Sequence, residues 1–169
     1  MGAGKTAVGR ELAKRLNRCF TDLDQFIEES EAKSVSEIFD TYGEKYFRKL
    51  EKQYVQACFK DEPIVLALGG GALTTNGILD FLKTKGTLVF IDPDTETIKE
   101  RLKRNKKRPK LLDENGNMMP DKELDTLISS LLEKRKPVYQ QADFIYKPIN
   151  ASKTAQAERL LRQLKEHVK

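Results

Sequence analysis

Residues 1–10 read MGAGKTAVGR. Gly4, Lys5 and Thr6 supply the end of the phosphate-binding loop pattern GxxxxGK[ST], whose leading glycine falls upstream of Met1. Glycines let successive backbone N–H groups turn toward a phosphate. The helix that follows, with Val8, Leu12 and Leu16 at helical spacing, directs its positive end to the same point. On this reading Lys5 reaches the outer phosphates and Thr6 can ligate magnesium. A chance glycine-rich start or an ordinary helix N-cap competes with it, because the match is short.

Working outward, CFTDLD (19–24) predicts a short strand ending on carboxylates. Helical patterning resumes at Gln25 to Ala32, in VSEIFD (35–40) and from Glu44 to Phe59, where Phe47, Leu50, Tyr54 and Cys58 share a face. Two apolar runs without polar alternation, Ile64 to Leu68 and Thr87 to Ile91, read as strands buried on both sides, with a helix at Asn76 to Lys83 between them. A helix to about Arg104 precedes a basic block, KRNKKRPK (103–110), and a polar stretch, DENGNMMPD (113–121). Together these suggest a lid over about 104–121. Leu124, Leu127, Ile128, Leu131 and Leu132 mark an amphipathic helix, Asp143 to Tyr146 a strand, and Leu160, Leu161, Leu164 and Val168 a last helix. Such alternation predicts an α/β fold, an open parallel sheet wrapped by helices through right-handed crossovers.

Composition narrows the classes. A chain of 169 residues, 38% apolar and 34% charged, suits one domain with its own core, so residues 1–169 are read as a single domain. No run reaches membrane-span length and no secretory signal is evident, which predicts a cytoplasmic protein without membrane contact. Cys19 and Cys58 lack CxxC spacing and are read as buried free thiols. The net charge of +5 is interleaved with acidic residues except in the basic block, which lacks aromatics; a solvated loop or a lid over phosphates fits it better than a nucleic-acid patch.

Three further groups carry chemistry. Asp22 and Asp24, two apart on an extended backbone, would leave from one side of a strand end and could divide their work between a metal and a substrate hydroxyl; alternatively Asp24 caps the next helix. Gly69, Gly70 and Gly71 follow a buried strand, where ligands of parallel sheets bind, although a plain tight turn would use them too. Arg48 in FRKLE, Arg108 in KKRPKLL and Arg135 in EKRKPVY could grip carboxylates or phosphates, yet any one of them alone is an ordinary surface arginine.

In order, GAGKT, DLD, FRKLE, GGG, RPKLL and KRKPVY resemble shikimate kinases, P-loop small-molecule kinases that phosphorylate the 3-hydroxyl of shikimate with ATP on the way to chorismate and the aromatic amino acids. The resemblance covers nearly the whole chain and implies a sheet of order 2-3-1-4-5. It implies that Gly2, Ala3, Gly4, Lys5, Thr6 and Ala7 wrap the ATP phosphates, with Thr6 on Mg2+ and Asp22 supporting the metal. It implies that Asp24 orients or deprotonates the attacking hydroxyl, and that Arg48, Gly70 and Arg135 hold shikimate, the arginines at its carboxylate. Arg108 would descend with the lid, completing a catalytic set with Lys5 and Asp24, and Arg101 would lie against the adenine. The expected partners are ATP and shikimate alone, with a monomeric enzyme and no nucleic acid. Other small-molecule kinases, such as gluconate or nucleoside-phosphate kinases, share the P-loop and lid but should lack the glycine triplet and paired arginines.

The chain departs from the family pattern in three places. Residues 150–152 lack the proline of the adenine-facing loop, Lys110 interrupts RPLL, and DENGNMMPD lengthens the lid. The family also places a short apolar strand and the first P-loop glycine ahead of this start. A late or trimmed start is therefore expected, leaving the strands at 64–68 and 87–91 with unpaired edges, which cost on the order of 1–3 kcal/mol per buried polar group. An inactive or regulatory shikimate-binding fragment is the alternative that such a start would produce.

Overall fold

The computed structural model describes residues 2–59, 62–103 and 120–167. The elements run α1 (Lys5–Leu16), β1 (Cys19–Asp22), α2 (Leu23–Glu31), α3 (Val35–Ala57), β2 (Ile64–Ala67), a 3-10 turn (Ala72–Thr74), α4 (Ile78–Lys83), β3 (Val89–Ile91), α5 (Thr95–Lys103), α6 (Asp121–Tyr139), β4 (Phe144–Tyr146) and α7 (Lys153–His167). The α/β alternation is as expected from the sequence. Residues 104–119, most of the expected lid, and Val168 lie outside the described residues, while Pro120 and Asp121 open α6.

Local chemistry explains the boundaries. Gly4, at φ 86°, supplies the left-handed turn from which α1 departs, and Asn17, also left-handed, closes the helix by donating its N–H to the carbonyls of Ala13 and Lys14. Ser34 and Glu37 form a reciprocal capping box at the start of α3. The segments at 35–40 and 44–59 join in α3 across Gly43, whose φ of 80° and ψ of 169° interrupt the helix. The helix expected from Asn76 is shorter: a 3-10 turn comes first, and left-handed Gly77 delays α4 to Ile78.

Two expectations need correction. Asp22 and Asp24 do not both leave a strand end, because Asp22 accepts from the Asp24 N–H and caps α2, so Asp24 sits in the first helical turn. Cys19 and Cys58 are free, as read, but Cys19 is exposed at the start of β1 and Cys58 is half-buried. Within the four-residue β1 only Cys19 is exposed and the other three residues are half-buried, so strand membership does not imply burial there.

Sheet pairing is parallel throughout but divided. β1 pairs with β2 from Cys19↔Ile64 to Asp22↔Ala67, and β3 pairs with β4 from Val89↔Phe144 to Ile91↔Tyr146. β2 and β3 do not pair. Between them lies a cavity of about 430 Å³. Consecutive residues along and beside both strands, Ile64 to Leu68 through β2 and Thr87 to Ile91 through β3, line it. Since side chains of a strand alternate between faces, an unbroken run along a cavity means that the backbone edge borders it. The unpaired edges expected from the sequence are therefore those of β2 and β3.

Among the described residues, three apolar clusters flank the strands. One joins α2, α3 and α4 through Leu23, Ile27, Ile38, Phe47 and Ile78; a second packs α1 and α7 on β3 and β4 through Val8, Leu12, Ile91, Tyr146 and Leu160. The third joins α5 to α6 through Ile98, Leu102, Leu124 and Ile128. Fully buried Tyr146 satisfies its hydroxyl by donating to the Gln156 carbonyl at 3.1 Å. Among the described residues no helix is long and apolar enough to cross a membrane.

Candidate active site

The glycine turn, the end of β1 and the first turn of α1 meet. Thr6 donates its hydroxyl to Asp22 Oδ2 at 2.6 Å, while Asp22 Oδ1 accepts the Asp24 N–H at 3.2 Å. One carboxylate thus fixes both the start of α2 and the hydroxyl at the start of α1. Arg101 of α5 donates from Nη1 to the Gly2 carbonyl at 3.1 Å, and a Cβ on Gly4 would lie 3.1 Å from the same nitrogen. The sequence expectation sets Arg101 against the adenine; in the structure its guanidinium contacts the backbone of the glycine turn. Ala3 packs beneath the loop on the α1–α7 cluster, and Ala7 faces outward from α1.

Across the cavity mouth, the glycine triplet is shaped by side chains from α2 and α3. A Cβ on Gly69 would fall 2.5 Å from Asp24 Oδ1 and 3.2 Å from Glu51 Oε1; one on Gly71 would fall 2.5 to 2.8 Å from the Arg48 guanidinium. Neither site tolerates a side chain without displacing a functional group, which a plain tight turn would not require. Arg48 donates from Nη1 to Glu51 Oε2 at 2.7 Å and from Nη2 to Glu44 Oε1 at 2.6 Å. Gly70 lies between, and its carbonyl accepts the Tyr139 hydroxyl at 2.5 Å. Arg135, one turn earlier on α6, borders the same cavity as Gly69, Gly70 and Tyr139.

Glu51, to which sequence reasoning gave no role although FRKLE contains it, is buried beside Arg48 and the glycine triplet. Its side chain is 1% exposed, and Oε1 has no hydrogen-bond partner. Burial pushes its carboxyl above the ordinary range, against the downward pull of Arg48 and with a further push from Asp24. For Arg48, burial opposes the charge, but the hydrogen bonds to Glu51 and Glu44 outweigh it and raise the pKa. The signal available in the sequence was spacing alone: Arg48 and Glu51 are three apart on a helix and must face each other.

The structure therefore brings Thr6, next to Lys5, onto Asp22 at the end of β1 and Arg101 onto the glycine turn, and it sets Asp24 and Arg48 against the glycine triplet, with Arg135 lining the same cavity as Gly70. Arg108 lies outside the described residues. In the first group only Thr6 and Asp22 carry side-chain oxygens, and among the described residues no cluster of three or more His, Cys, Asp or Glu side chains could hold a metal on its own. Thr6 and Asp22 instead suit a hard cation that takes most of its ligands from phosphate and water.

A helix-opening glycine loop beside a carboxylate–guanidinium pocket, on parallel strands covered by helices, defines a phosphotransfer enzyme of the small-molecule kinase class. Residues 1–165 match the model of the shikimate kinase family. The chain is 37% identical to shikimate kinase of Chlorobium phaeobacteroides over 168 residues, covering 99% of this chain and 88% of the relative. It is 38% identical to the enzyme of Bacteroides fragilis, covering 98% and 90%. Solved structures agree: shikimate kinase from Bacteroides thetaiotaomicron superimposes with a TM-score of 0.89 at 35% identity, covering 98% of this chain and 94% of that one. The enzyme from Acinetobacter baumannii in complex with shikimate gives 0.86 at 33%, covering 98% and 89%. The chain belongs to the shikimate kinase family.

Proposed function

We propose that this chain transfers the terminal phosphoryl group of ATP to the 3-hydroxyl of shikimate, giving shikimate 3-phosphate and ADP. The observation that carries the reading is the packing of Asp24 and Arg48 onto Gly69 and Gly71, a carboxylate and a guanidinium held on one glycine wall. A guanidinium fork suits the substrate carboxylate and a neighbouring carboxylate suits a hydroxyl, so the pair selects a hydroxy acid. Arg135 adds a second cation at the carboxylate, and Gly70 offers close backbone approach.

In the reaction, Asp24 orients the attacking hydroxyl and takes its proton as the new O–P bond forms and the bond to ADP breaks. Gly2 to Ala7 wrap the phosphates, Lys5 neutralises charge on the outer oxygens, and Arg101 braces the loop and faces the nucleotide. Thr6 and Asp22 would hold Mg2+, which supplies charge neutralisation on the phosphates when bound. Arg108, from the lid, would close over the phosphates and exclude water.

The finer architecture belongs to the same reading. A single domain with a sheet of order 2-3-1-4-5 is the architecture this reading expects, and the separation of β2 from β3 by the cavity supports it. A cytoplasmic monomer acting on ATP and shikimate, without nucleic acid or membrane, completes it. Family membership favours the kinase over a shikimate-binding fragment, and the glycine–arginine pocket favours it over gluconate or nucleoside-phosphate kinases. The test is ADP release measured with and without shikimate, with product detected by mass. ADP release that requires shikimate supports the reading; shikimate binding without release would return the fragment alternative.

A further inference from the structure

Tyr139 ends α6 and has no role in the chemistry described so far, yet it joins three parts of the molecule. Its ring stacks on Phe90 of β3, with centroids 4.6 Å apart and planes 29° apart. Its hydroxyl donates to the Gly70 carbonyl at 2.5 Å, across 69 residues of chain. One helical turn back, Arg135 borders the same cavity.

The glycine triplet needs such a tie. Glycine samples more backbone states than any other residue, so three in succession define a direction only if their peptide groups are held. The Gly69 carbonyl is held within the loop by the Ala72 N–H at 3.1 Å, and the Gly71 carbonyl by the Thr74 N–H at 3.0 Å and the Thr74 hydroxyl at 2.6 Å. The Gly70 carbonyl is held from outside the loop, by Tyr139. That hydrogen bond fixes the peptide following Gly70, and the ring stack fixes the end of the helix that carries Arg135.

We propose that Tyr139 is a positioning residue for the substrate: it locks Gly70 and Arg135 into one frame, so that the loop backbone and the guanidinium meet the substrate carboxylate side together. This rests on the proposed shikimate kinase activity. The competing account is that the hydroxyl satisfies only itself and the ring only packs. The two differ in what loss of the hydroxyl does to substrate binding.

Tyr139→Phe removes the hydroxyl and keeps the ring on Phe90, so the fold is retained. The expected result is a KM for shikimate raised about five- to tenfold, as for loss of one neutral hydrogen bond. The KM for ATP and kcat should change less than about twofold, and calorimetric shikimate affinity should fall in parallel with the rise in KM. Tyr139→Leu, which also removes the stack, should lower the melting temperature and raise the shikimate KM further. An unchanged shikimate KM in Tyr139→Phe overturns the proposal, as does an equal loss in both substrates. If the unaltered chain neither phosphorylates nor binds shikimate, the functional reading itself falls and the positioning role with it. An active unaltered chain with an indifferent Tyr139→Phe removes the positioning role alone.

Discussion

Replacing Gly71 by alanine isolates the contact between the glycine wall and Arg48. Residue 71 has φ −106° and ψ −9°, a conformation open to alanine, so backbone strain does not enter. The added Cβ would lie 2.5 Å from Arg48 Nη2, 2.6 Å from Nη1 and 2.8 Å from Cζ. To restore ordinary van der Waals separation the guanidinium must retreat by about 1 Å. It is not at liberty to do so, because Nη1 is bound to Glu51 at 2.7 Å and Nη2 to Glu44 at 2.6 Å. A shift of that size stretches at least one charge-assisted hydrogen bond beyond its useful range, a loss of about 1.5–3 kcal/mol. Arg48 is 21% exposed and Glu44 61%, so water recovers part of this and the lower end applies to stability. The melting temperature should therefore fall by roughly 3–6 °C. The effect on substrate is larger, since a guanidinium misplaced by about 1 Å meets the substrate carboxylate poorly, and such errors reach about 100-fold. The KM for shikimate should rise about 10- to 100-fold while the KM for ATP stays within about twofold. Shikimate titrations in a coupled ADP assay, with calorimetry for direct binding, measure it. Unchanged shikimate binding in a folded Gly71→Ala protein would refute the inference that Arg48, held against Gly71, grips the substrate.

Three other outcomes follow from the same geometry. Asp22→Asn keeps the acceptor for Thr6 and the cap on α2 but removes the charge, so the Mg2+ concentration needed for half-maximal turnover should rise about tenfold with shikimate binding intact; an unaltered metal requirement would place the metal elsewhere. Glu51 has a folded pKa raised by burial, so its contribution to stability is full below the unfolded value of about 4.3 and is lost as pH rises through the folded value. Glu51→Gln does not titrate and should therefore gain stability relative to the unaltered protein as pH rises from 4 to 8; urea midpoints across that range that show the opposite slope would contradict the burial account. An apolar strand of about six residues ending in glycine, placed ahead of Gly2, should raise the melting temperature and tighten ATP binding if it enters the cavity between β2 and β3, and an unchanged protein would show that the cavity does not take a strand.

Much of the site was legible because its parts are local. Gly4, Lys5 and Thr6 are adjacent, and the left-handed glycine before a helix follows from their order. Arg48 lies on an amphipathic helix whose apolar face could be counted, and the triplet Gly69 to Gly71 announced close approach after a buried strand. The geometry of TDLD was misread because a strand and a helix N-cap compete for the same short polar segment. The outcome depends on whether the Asp22 side chain turns back to the Asp24 N–H, a choice that spacing does not encode. Cys19 was read as buried from the general habit of cysteine, whereas the exposure of β1 depends on what covers its outer side.

From sequence alone came the alternation of helices and strands, the glycine turn ahead of α1, and an ordered set of residues specific enough to indicate the family. Each depends on neighbours within a few positions or on their order along the chain. Tertiary structure decided which of those residues touch: that Glu51 is buried against Arg48, that Gly69 and Gly71 are the walls for Asp24 and Arg48, and that Tyr139 reaches Gly70. It also decided that β2 and β3 face a cavity instead of each other. Such contacts join segments dozens of residues apart, and they form only when packing of several apolar faces at once selects one arrangement from the many that local preference allows.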